Sequence, residues 1–339
     1  MTSSIKVLIT VQFTSELLDQ IKAVSPRLVI TSHEAKKLEE ISEGEWQEVE
    51  ILYTHKIVPT LDLAPNLKWI QFHRAGNERF LDAPILRKPD LIASSMSGAS
   101  APQVAEYVLE MTLALGHRLP EILDHQKRAD WPANRGNIFS PVELNQSTIG
   151  IVGYGSIGRE VARLVHAFGA TVLATKFDAK RPADPGYMIE GSGDPEGDHV
   201  HRLYPAQALT SMLKECDFVV VCVPLTQATK GLIGIEQLAA MKSTTFLIDV
   251  SRGGVINHAD LLIALKERQI AGAALDVYPQ EPLPKDSPLW KLPNVILTPH
   301  VAGVSRCYDQ RAVALFVENL NRYLEGKNPL NLIDIQRGY

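Results

Sequence analysis

Ser147–Gly158 reads STIGIVGYGSIG, and this stretch is the strongest indication of fold in the 339-residue chain. Its first part, Thr148–Val152, is a short β-branched run of the kind that forms a buried parallel strand. The glycines that follow have the spacing G-x-G-x-x-G, at Gly153, Gly155 and Gly158. They permit a tight turn, close approach of backbone to a pyrophosphate, and close packing of helix on strand. The stretch therefore predicts a dinucleotide site.

An amphipathic helix is expected directly after the glycines, because apolar residues recur at helical spacing from Ile157 to Phe168. Its first residues, Ser156 and Ile157, would offer unpaired N–H groups and a partial positive charge to phosphates. A further strand is predicted at Thr171–Ala174. A strand on each side of the helix makes the glycine pattern far more specific than it is alone.

Short β-branched runs alternate with amphipathic stretches along the whole chain, which predicts an α/β fold with parallel sheets. The first series of candidate strands comprises Lys6–Thr10, Leu28–Thr31, Val49–Tyr53, Lys68–Phe72 and Leu91–Ser94. The second comprises Thr148–Val152, Thr171–Ala174, Phe218–Val223, Thr245–Val250, Ala271–Leu275 and Val295–Thr298. A buried helix is expected after Ser100 or Pro102, a last helix near Arg311–Glu325, then an extended tail. The polar segment 183–199 is interpreted as a surface loop with solvated histidines.

Composition excludes several classes of protein. The formal charge is −5, from 34 basic and 39 acidic residues, which argues against a nucleic-acid or anionic-membrane partner. Three scattered cysteines, Cys216, Cys222 and Cys307, indicate no disulfide framework and no zinc site, and no metal is expected. The N-terminal apolar run is too short for a signal peptide, and the longest later run, Phe218–Leu225, is far too short for a membrane helix. A cytoplasmic location is expected.

The end of the strand at Thr171–Ala174 bears on the choice of cofactor, because an acidic residue usually holds the adenosine ribose there. In this chain Lys176 occupies the position, and Asp178 follows two residues later. A lysine can pair with the 2′-phosphate of NADP, so NADP is favoured over NAD. The alternative is a solvent-facing Lys176 with Asp178 in the ribose role.

Three residues downstream of the glycines have side chains suited to reducing a 2-keto acid: Arg252, Glu281 and His300. A guanidinium binds oxygen anions bidentately and stays charged, so Arg252 suits the substrate carboxylate and carbonyl. Histidine titrates near neutral pH, which suits His300 to general acid–base work. A neighbouring carboxylate, here Glu281, would orient the ring and favour its charged form. All three are predicted at or just beyond carboxyl ends of strands, where doubly wound sheets bind ligands.

The chain resembles the D-isomer-specific 2-hydroxyacid dehydrogenase family, which includes glyoxylate/hydroxypyruvate reductases and phosphoglycerate dehydrogenase. The resemblance is densest in Gly153–Gly158, in Cys222–Thr226 and from Asp249 to Gly303. It implies that Arg252, Glu281 and His300 are the catalytic set, and that Asp276 contacts the nicotinamide amide. It also implies a flavodoxin-like substrate domain, residues 1–104 and 303–339, into which a Rossmann domain, residues 105–302, is inserted. A cleft that closes, and a homodimer built on the nucleotide domain and the helix near 102–117, are further implications.

The resemblance also implies the remaining binding residues. Those expected at the cofactor are Gly153, Gly155, Ser156, Ile157, Gly158, Lys176, Val223, Pro224, Thr229, Val250, Asp276, His300 and Gly303. Those expected at the substrate are Arg74, Ala75, Gly76, Arg252 and His300. The loop at Arg74 departs from the family's usual sequence, so Arg74 either binds a second acidic group or phosphate of the substrate, or faces solvent or braces the loop.

The predicted function is hydride transfer between a nicotinamide cofactor and a small 2-keto acid or (R)-2-hydroxy acid. Two alternatives stay open. One is a short-form phosphoglycerate dehydrogenase, and the other is a nucleotide-sensing protein like the corepressors of this fold. Neither the keto acid nor the physiological direction follows from the sequence.

Overall fold

The computed structural model describes residues 4–184 and 186–338. Its contacts separate the chain into two compact units. The first unit comprises Met1–Ala99 and Ser305–Tyr339, and the second comprises Ser100–Val304. The chain thus leaves the first unit once and returns to it near its end.

The first unit is built on a five-stranded parallel sheet. Its strands are β1 (Ile5–Ile9), β2 (Leu28–Ser32), β3 (Ile51–Thr54), β4 (Trp69–Phe72) and β5 (Ile92–Ser94). They lie in the order β2-β1-β3-β4-β5, which is the flavodoxin-like order. The central strands β3 and β4 are buried along their whole length, as expected of a sheet covered on both faces.

The second unit is built on a seven-stranded parallel sheet. Its strands are β6 (Thr148–Val152), β7 (Thr171–Lys176), β8 (Arg202–Pro205), β9 (Phe218–Val221), β10 (Phe246–Asp249), β11 (Gly272–Leu275) and β12 (Val295–Leu297). Their order, β12-β11-β10-β9-β6-β7-β8, is that of a Rossmann sheet with one added strand. The order reverses between β6 and β9, so the glycine loop after β6 lies at the position where such sheets bind ligands. The predicted fold class is confirmed.

Ten α-helices accompany the strands in the part of the chain that the structure describes. They are α1 (Ser15–Lys22), α2 (Glu43–Glu48), α3 (Ala101–Gly116), α4 (Leu119–Lys127), α5 (Arg135–Ile138), α6 (Ser156–Ala167), α7 (Leu209–Leu213), α8 (Ile235–Ala240), α9 (His258–Lys266) and α10 (Tyr308–Leu324). The predicted long helix is α3, and its residues Val104, Val108 and Leu115 are buried within the second unit. No helix of residues 4–184 and 186–338 is long and apolar enough to cross a membrane.

All eleven predicted strands form, with ends that move by at most two residues. The strand β8 was not predicted, because it is a short edge strand with one buried residue and a terminal proline, and so lacks a clear period. The tail, predicted to be extended, has turns at 325–326 and 335–338 and irregular backbone between them. It is tied to the first unit by a hydrogen bond from the Ile333 N–H to the Ala93 carbonyl, 2.9 Å, and by one antiparallel bridge between Ser94 and Leu332.

The segment 183–199 is a loop whose described residues are mostly exposed or partly exposed, as its polar sequence predicts, but part of it is buried against α6. The Arg159 side chain of α6 is fully buried and donates to the carbonyls of Asp194 and Pro182. Asp194 is 2% exposed, and its carboxylate accepts the Tyr154 hydroxyl and the N–H groups of residues 197–199. Charged groups are buried at little cost only when they are paired in this way. The segment is therefore anchored beside the glycine loop.

Candidate active site

The three fingerprint glycines meet three different spatial constraints. Gly153 has φ 107°, and a Cβ there would lie 2.7 Å from the Val223 side chain. A Cβ on Gly158 would lie 2.2 Å from the Gly153 carbonyl oxygen, so α6 packs directly on the turn. A Cβ on Gly155 would meet nothing within 4 Å. Protein packing requires Gly153 and Gly158, whereas Gly155 borders open space, which is what a bound pyrophosphate needs.

The segment after β9 faces the glycine turn across the switch point of the sheet. Val223 contacts Gly153, as stated, and the Cys222 thiol donates to the Gly153 carbonyl at 3.1 Å. The Thr229 hydroxyl donates to the Pro224 carbonyl at 2.6 Å and accepts the Thr226 N–H at 2.8 Å. Thr229 therefore closes this turn.

Lys176, at the end of β7, makes contacts within its own loop. Its ammonium donates to the carbonyls of Arg181 at 2.6 Å and Ala183 at 2.9 Å. Desolvation and the Arg159 charge lower the pKa of Lys176. The Asp178 carboxylate accepts the Lys180 N–H at 3.2 Å and lies 3.5 Å from the Arg181 guanidinium. Lys176 and Asp178 are the two candidate ligands at the adenosine ribose. Both thus help to shape the loop that leads into the anchored segment 183–199.

His300 and Glu281 lie in direct hydrogen-bond contact. The imidazole Nδ1 is 2.8 Å from Glu281 Oε2, and Glu281 Oε1 accepts the Tyr278 N–H at 3.0 Å. Desolvation opposes ionisation of Glu281, but the His300 and Tyr278 hydrogen bonds hold its pKa below its usual range. His300 has φ 55°, the left-handed region that non-glycine residues seldom adopt. With Nδ1 engaged by Glu281, Nε2 is the nitrogen left for proton exchange.

Asp276 holds the backbone around His300. Its carboxylate accepts the Thr298 hydroxyl at 2.6 Å, the Val301 N–H at 2.8 Å and the Ala302 N–H at 2.9 Å. Tyr107 of α3 is hydrogen-bonded to the same Thr298 hydroxyl at 2.7 Å. Asp276 is 1% exposed. These contacts fix residues on both sides of His300, and an unusual φ persists only where the surroundings determine it in this way.

Arg252 follows β10 and lies near the Glu281 segment. The next residue, Gly253, contacts the Tyr278 backbone so closely that a Cβ would lie 1.9 Å from its carbonyl oxygen. Arg252 donates from Nη1 to the Ser251 carbonyl at 2.8 Å, and its charge contributes to the low pKa of Glu281. The structure thus brings Arg252, Glu281 and His300 together at the carboxyl ends of β10–β12.

Arg74, Ala75 and Gly76 belong to the first unit, after β4. The Arg74 guanidinium lies 4.1 Å from the centroid of the Tyr308 ring, a cation–π geometry, and the Tyr308 hydroxyl donates to the His73 carbonyl at 2.5 Å. The Arg74 side chain is exposed. Stacking on an aromatic ring restricts this guanidinium without using all of its donors.

Three further residues shape this site but were not predicted from the sequence to do so: Tyr278, Thr298 and Tyr107. The Tyr278 hydroxyl donates to the carbonyls of Leu275 at 2.8 Å and Thr298 at 2.9 Å, which links two strand ends. Tyr278 and Thr298 lie inside stretches already singled out, so their position was a usable signal. Nothing in the sequence connects Tyr107, 191 residues from Thr298, to the site.

Comparison with known proteins identifies the same region. Residues 109–302 match the family D-isomer specific 2-hydroxyacid dehydrogenase, NAD binding domain. A glyoxylate reductase of Thermofilum pendens is 35% identical over 286 residues, 84% of this chain and 80% of that protein. A D-isomer specific 2-hydroxyacid dehydrogenase of Xanthobacter autotrophicus, solved with NADPH and MES, is 27% identical with a TM-score of 0.81 over all of both chains. An NADPH-dependent glyoxylate/hydroxypyruvate reductase of Sinorhizobium meliloti, solved with NADP and sulfate, is 25% identical with a TM-score of 0.77, over 99% of this chain and 100% of that one.

The Rossmann sheet and its glycine loop define a dinucleotide-binding protein, and the matched family is one of dehydrogenases. The match covers more than half of the chain, so the protein belongs to the D-isomer specific 2-hydroxyacid dehydrogenases. It is an NAD(P)-dependent enzyme of that family.

Proposed function

We propose that this enzyme reduces small 2-keto acids of the glyoxylate and hydroxypyruvate type, reversibly, to (R)-2-hydroxy acids. The observation that carries the proposal is the 2.8 Å contact between His300 and Glu281 at the strand ends that also hold Arg252. The glyoxylate-reducing relatives support the substrate class.

Each residue of the set has a chemical task. Arg252 binds the substrate carboxylate and polarises the carbonyl oxygen, since its guanidinium can donate to both. His300 Nε2 donates a proton to that oxygen as it becomes a hydroxyl, and takes it back in the reverse reaction. Glu281 orients the ring and stabilises its charged form. A bound nicotinamide supplies the hydride in reduction and accepts it in oxidation.

The residues that would hold the cofactor fit a dinucleotide. Gly155 leaves room for a pyrophosphate, and the N-terminus of α6 offers N–H groups beside it. Val223, Pro224, Thr229, Val250, Asp276 and Gly303 are assigned to the same site. Asp276 already accepts three hydrogen bonds, so its principal task within this site is to position His300.

A substrate panel tests the proposal. The panel is assayed with both the NAD and the NADP forms of the cofactor. Four acids are tested for reduction: glyoxylate, hydroxypyruvate, pyruvate and 4-methyl-2-oxopentanoate. A fifth, 3-phosphoglycerate, is tested for oxidation. Turnover of the small keto acids is expected, and the products should be (R)-2-hydroxy acids. Preference for 3-phosphoglycerate would favour the short-form phosphoglycerate dehydrogenase. Tight cofactor binding without turnover of any acid would favour the nucleotide sensor.

We propose NADP as the preferred cofactor, with Lys176 as a ligand of the 2′-phosphate. Two relatives solved with NADPH or NADP support this choice. The Lys176→Met variant should raise KM for NADPH about tenfold or more and leave KM for NADH nearly unchanged. Lys242→Met is the matched control, because Lys242 also donates to a loop carbonyl, that of Glu215 at 2.8 Å. Equal effects on both cofactors would make Lys176 a loop brace and leave the ribose to Asp178.

We also assign Arg74, Ala75 and Gly76 to the substrate, and a substitution of Arg74 tests the contribution of its side chain. If Arg74 binds a second acidic group, Arg74→Ala should raise KM for 2-oxoglutarate about tenfold and KM for pyruvate little. If Arg74 braces its loop through the stack on Tyr308, both values should change together.

We also propose a homodimer formed by the second unit. Its segment from α4 to α5 exposes several large apolar side chains, which soluble surfaces seldom group together. They are Leu119, Ile122, Leu123, Trp131 and Ile138, and Trp131 is 82% exposed.

A further inference from the structure

Asp249, the last residue of β10, has two carboxylate oxygens in different situations. Its side chain is fully buried. Oδ1 accepts the Ser251 N–H at 3.0 Å and the Ser251 hydroxyl at 2.5 Å. Oδ2 is buried and has no hydrogen-bond partner among the described residues. Burying an anionic oxygen without a hydrogen-bond donor is strongly unfavourable. Protonation removes the charge and therefore avoids this cost.

A second buried carboxylate lies beside Asp249. Asp276 ends the neighbouring strand, and its N–H donates to the Asp249 carbonyl at 3.1 Å. Asp276 accepts three hydrogen bonds, so its negative charge is compensated while that of Asp249 would not be. Two adjacent buried carboxyl groups ionise together only at high cost. The proton of the pair therefore belongs on Asp249 Oδ2.

Four ionisable groups interact electrostatically with Asp249, and each belongs to a different neighbouring element. They are Cys222 after β9, Arg252 after β10, Asp276 after β11, and Tyr107 of α3. Arg252 is the one permanent cation among them. Cys222 and Tyr107 are kept neutral, since burial raises the pKa of the Cys222 thiol to about 12 and that of the Tyr107 hydroxyl well above its usual range.

We propose that Asp249 is a positioning residue which holds a proton in the active enzyme, and thereby leaves the charge of Arg252 available to the substrate anion. The second part rests on the function proposed above. When the proton leaves, a buried negative charge near Arg252 competes with the substrate carboxylate. Substrate binding should then weaken while the proton transfer through His300 continues.

The pH range follows from the surroundings of Asp249. Burial, and then the charge of Asp276, raise its pKa to about 7, against the opposing hydrogen bonds from Ser251. The folded protein thus keeps a proton that the unfolded chain releases above about pH 4. The contribution of Asp249 to stability therefore falls as pH rises from about 4 to 7, and this loss is complete above about 7.

Steady-state kinetics with glyoxylate and NADPH test the substrate part. In the wild type, 1/KM should fall up to about tenfold per pH unit above 7, while kcat follows a separate profile. Asp249→Asn, which is isosteric and uncharged, should lack that fall. Asp217→Asn is the matched control, since Asp217 precedes β9 at the opposite end of the sheet and both its oxygens are paired, with Lys242 and the Thr148 N–H. Identical KM profiles for wild type and Asp249→Asn would overturn the proposal.

Two ligand-free measurements separate this proposal from the proposed function. The Tm of Asp249→Asn relative to wild type should rise between pH 5 and pH 8, and that of Asp217→Asn should not follow it. If the variant does not fold, infrared spectra of wild-type protein with labelled aspartate decide the point. A carbonyl band of protonated aspartic acid at pH 6 that is absent at pH 9 is expected, and absence of the band at both values would overturn the proposal. If no keto acid is turned over, the part about Arg252 fails, and these two measurements still decide where the proton lies.

Discussion

At the scale of single residues, a short histidine–carboxylate distance does not by itself make an active site. His33 and Glu45 in the first unit are also 2.8 Å apart, and both are partly exposed. The His300–Glu281 pair differs in its setting, because Asp276 fixes the backbone on both sides of His300, just beyond the carboxyl end of β12. Glu45 instead completes the N-terminal cap of α2 with Ser42. A fixed geometry at the ends of the strands distinguishes it from an ordinary surface pair.

Substitution of this pair should lower kcat in a graded way. His300→Gln should reduce kcat for glyoxylate by about 10²- to 10⁴-fold, because a glutamine cannot transfer the proton. Glu281→Gln should cost less, since the imidazole remains but loses its orienting carboxylate. Cofactor affinity, measured by NADPH fluorescence, should stay nearly unchanged in both.

The surface pair supplies the control for that experiment. His33→Gln removes a histidine with the same contact distance and should leave kcat unaltered. If kcat of His300→Gln is within about twofold of wild type, His300 is not the general acid–base. The His300–Glu281 pair would then matter no more to the reaction than the surface pair His33–Glu45.

At the scale of secondary-structure elements, the junction of β6 with α6 combines a folding requirement with a binding requirement. Gly158 lies against the Gly153 carbonyl, so the helix can meet the strand only without a side chain there. Gly155 contacts no other part of the protein at its Cβ position. Two glycines of one motif thus serve different purposes.

These two glycines should respond differently to alanine. Gly158→Ala should lower Tm by several degrees or prevent folding, because backbone must move to admit a methyl group. Gly155→Ala should fold normally and bind NADPH about tenfold or more weakly, because its methyl group occupies the space for the pyrophosphate. Thermal melting and fluorescence titration measure the two effects. Gly136→Ala, where a Cβ also meets nothing within 4 Å, is the control for open space away from the site.

Helix α6 also holds the segment 183–199 in place, through the buried side chain of Arg159. Arg159→Met should destabilise the protein by about 3–5 kcal/mol, because the partly exposed carboxylate of Asp184 and the carbonyls of Asp194 and Pro182 lose their buried partner. Arg128→Met, which removes an arginine from an ion pair with Asp124 that is exposed on both sides, should cost about 1 kcal/mol or less. Denaturant unfolding compares the two, and equal costs would mean that the buried network does not hold the segment.

At the scale of the whole molecule, the exposed apolar side chains of the second unit are the surface on which the proposed homodimer depends. Leu123→Asp places a charge among them and should weaken the proposed homodimer about tenfold or more, as measured by analytical ultracentrifugation. Leu61→Asp introduces the same charge at a leucine of similar exposure in the first unit, 41% against 43%, and should not change association. A wild-type protein that is monomeric at micromolar concentration would contradict the proposal.

Much of the molecule could be predicted from local pattern alone. The β-branched runs, the glycine spacing and the order Arg252, Glu281, His300 indicated a doubly wound α/β enzyme, because strand periodicity and turn chemistry are properties of neighbouring residues. The pattern failed for β8 and for the buried part of 183–199. In both places the stabilising partners, such as Arg159 for Asp194, come from elsewhere in the chain.

Local sequence patterns establish the class of fold, the nucleotide-binding motif and the kinds of side chain available for the reaction. Which of these side chains meet depends on the folded chain. Folding brought Tyr107 to Thr298, occupied the Lys176 ammonium with loop carbonyls, and buried Asp249 beside Asp276 with one oxygen unpaired. The physical reason is that hydrogen-bond partnership and desolvation depend on three-dimensional neighbours, which chain spacing does not specify.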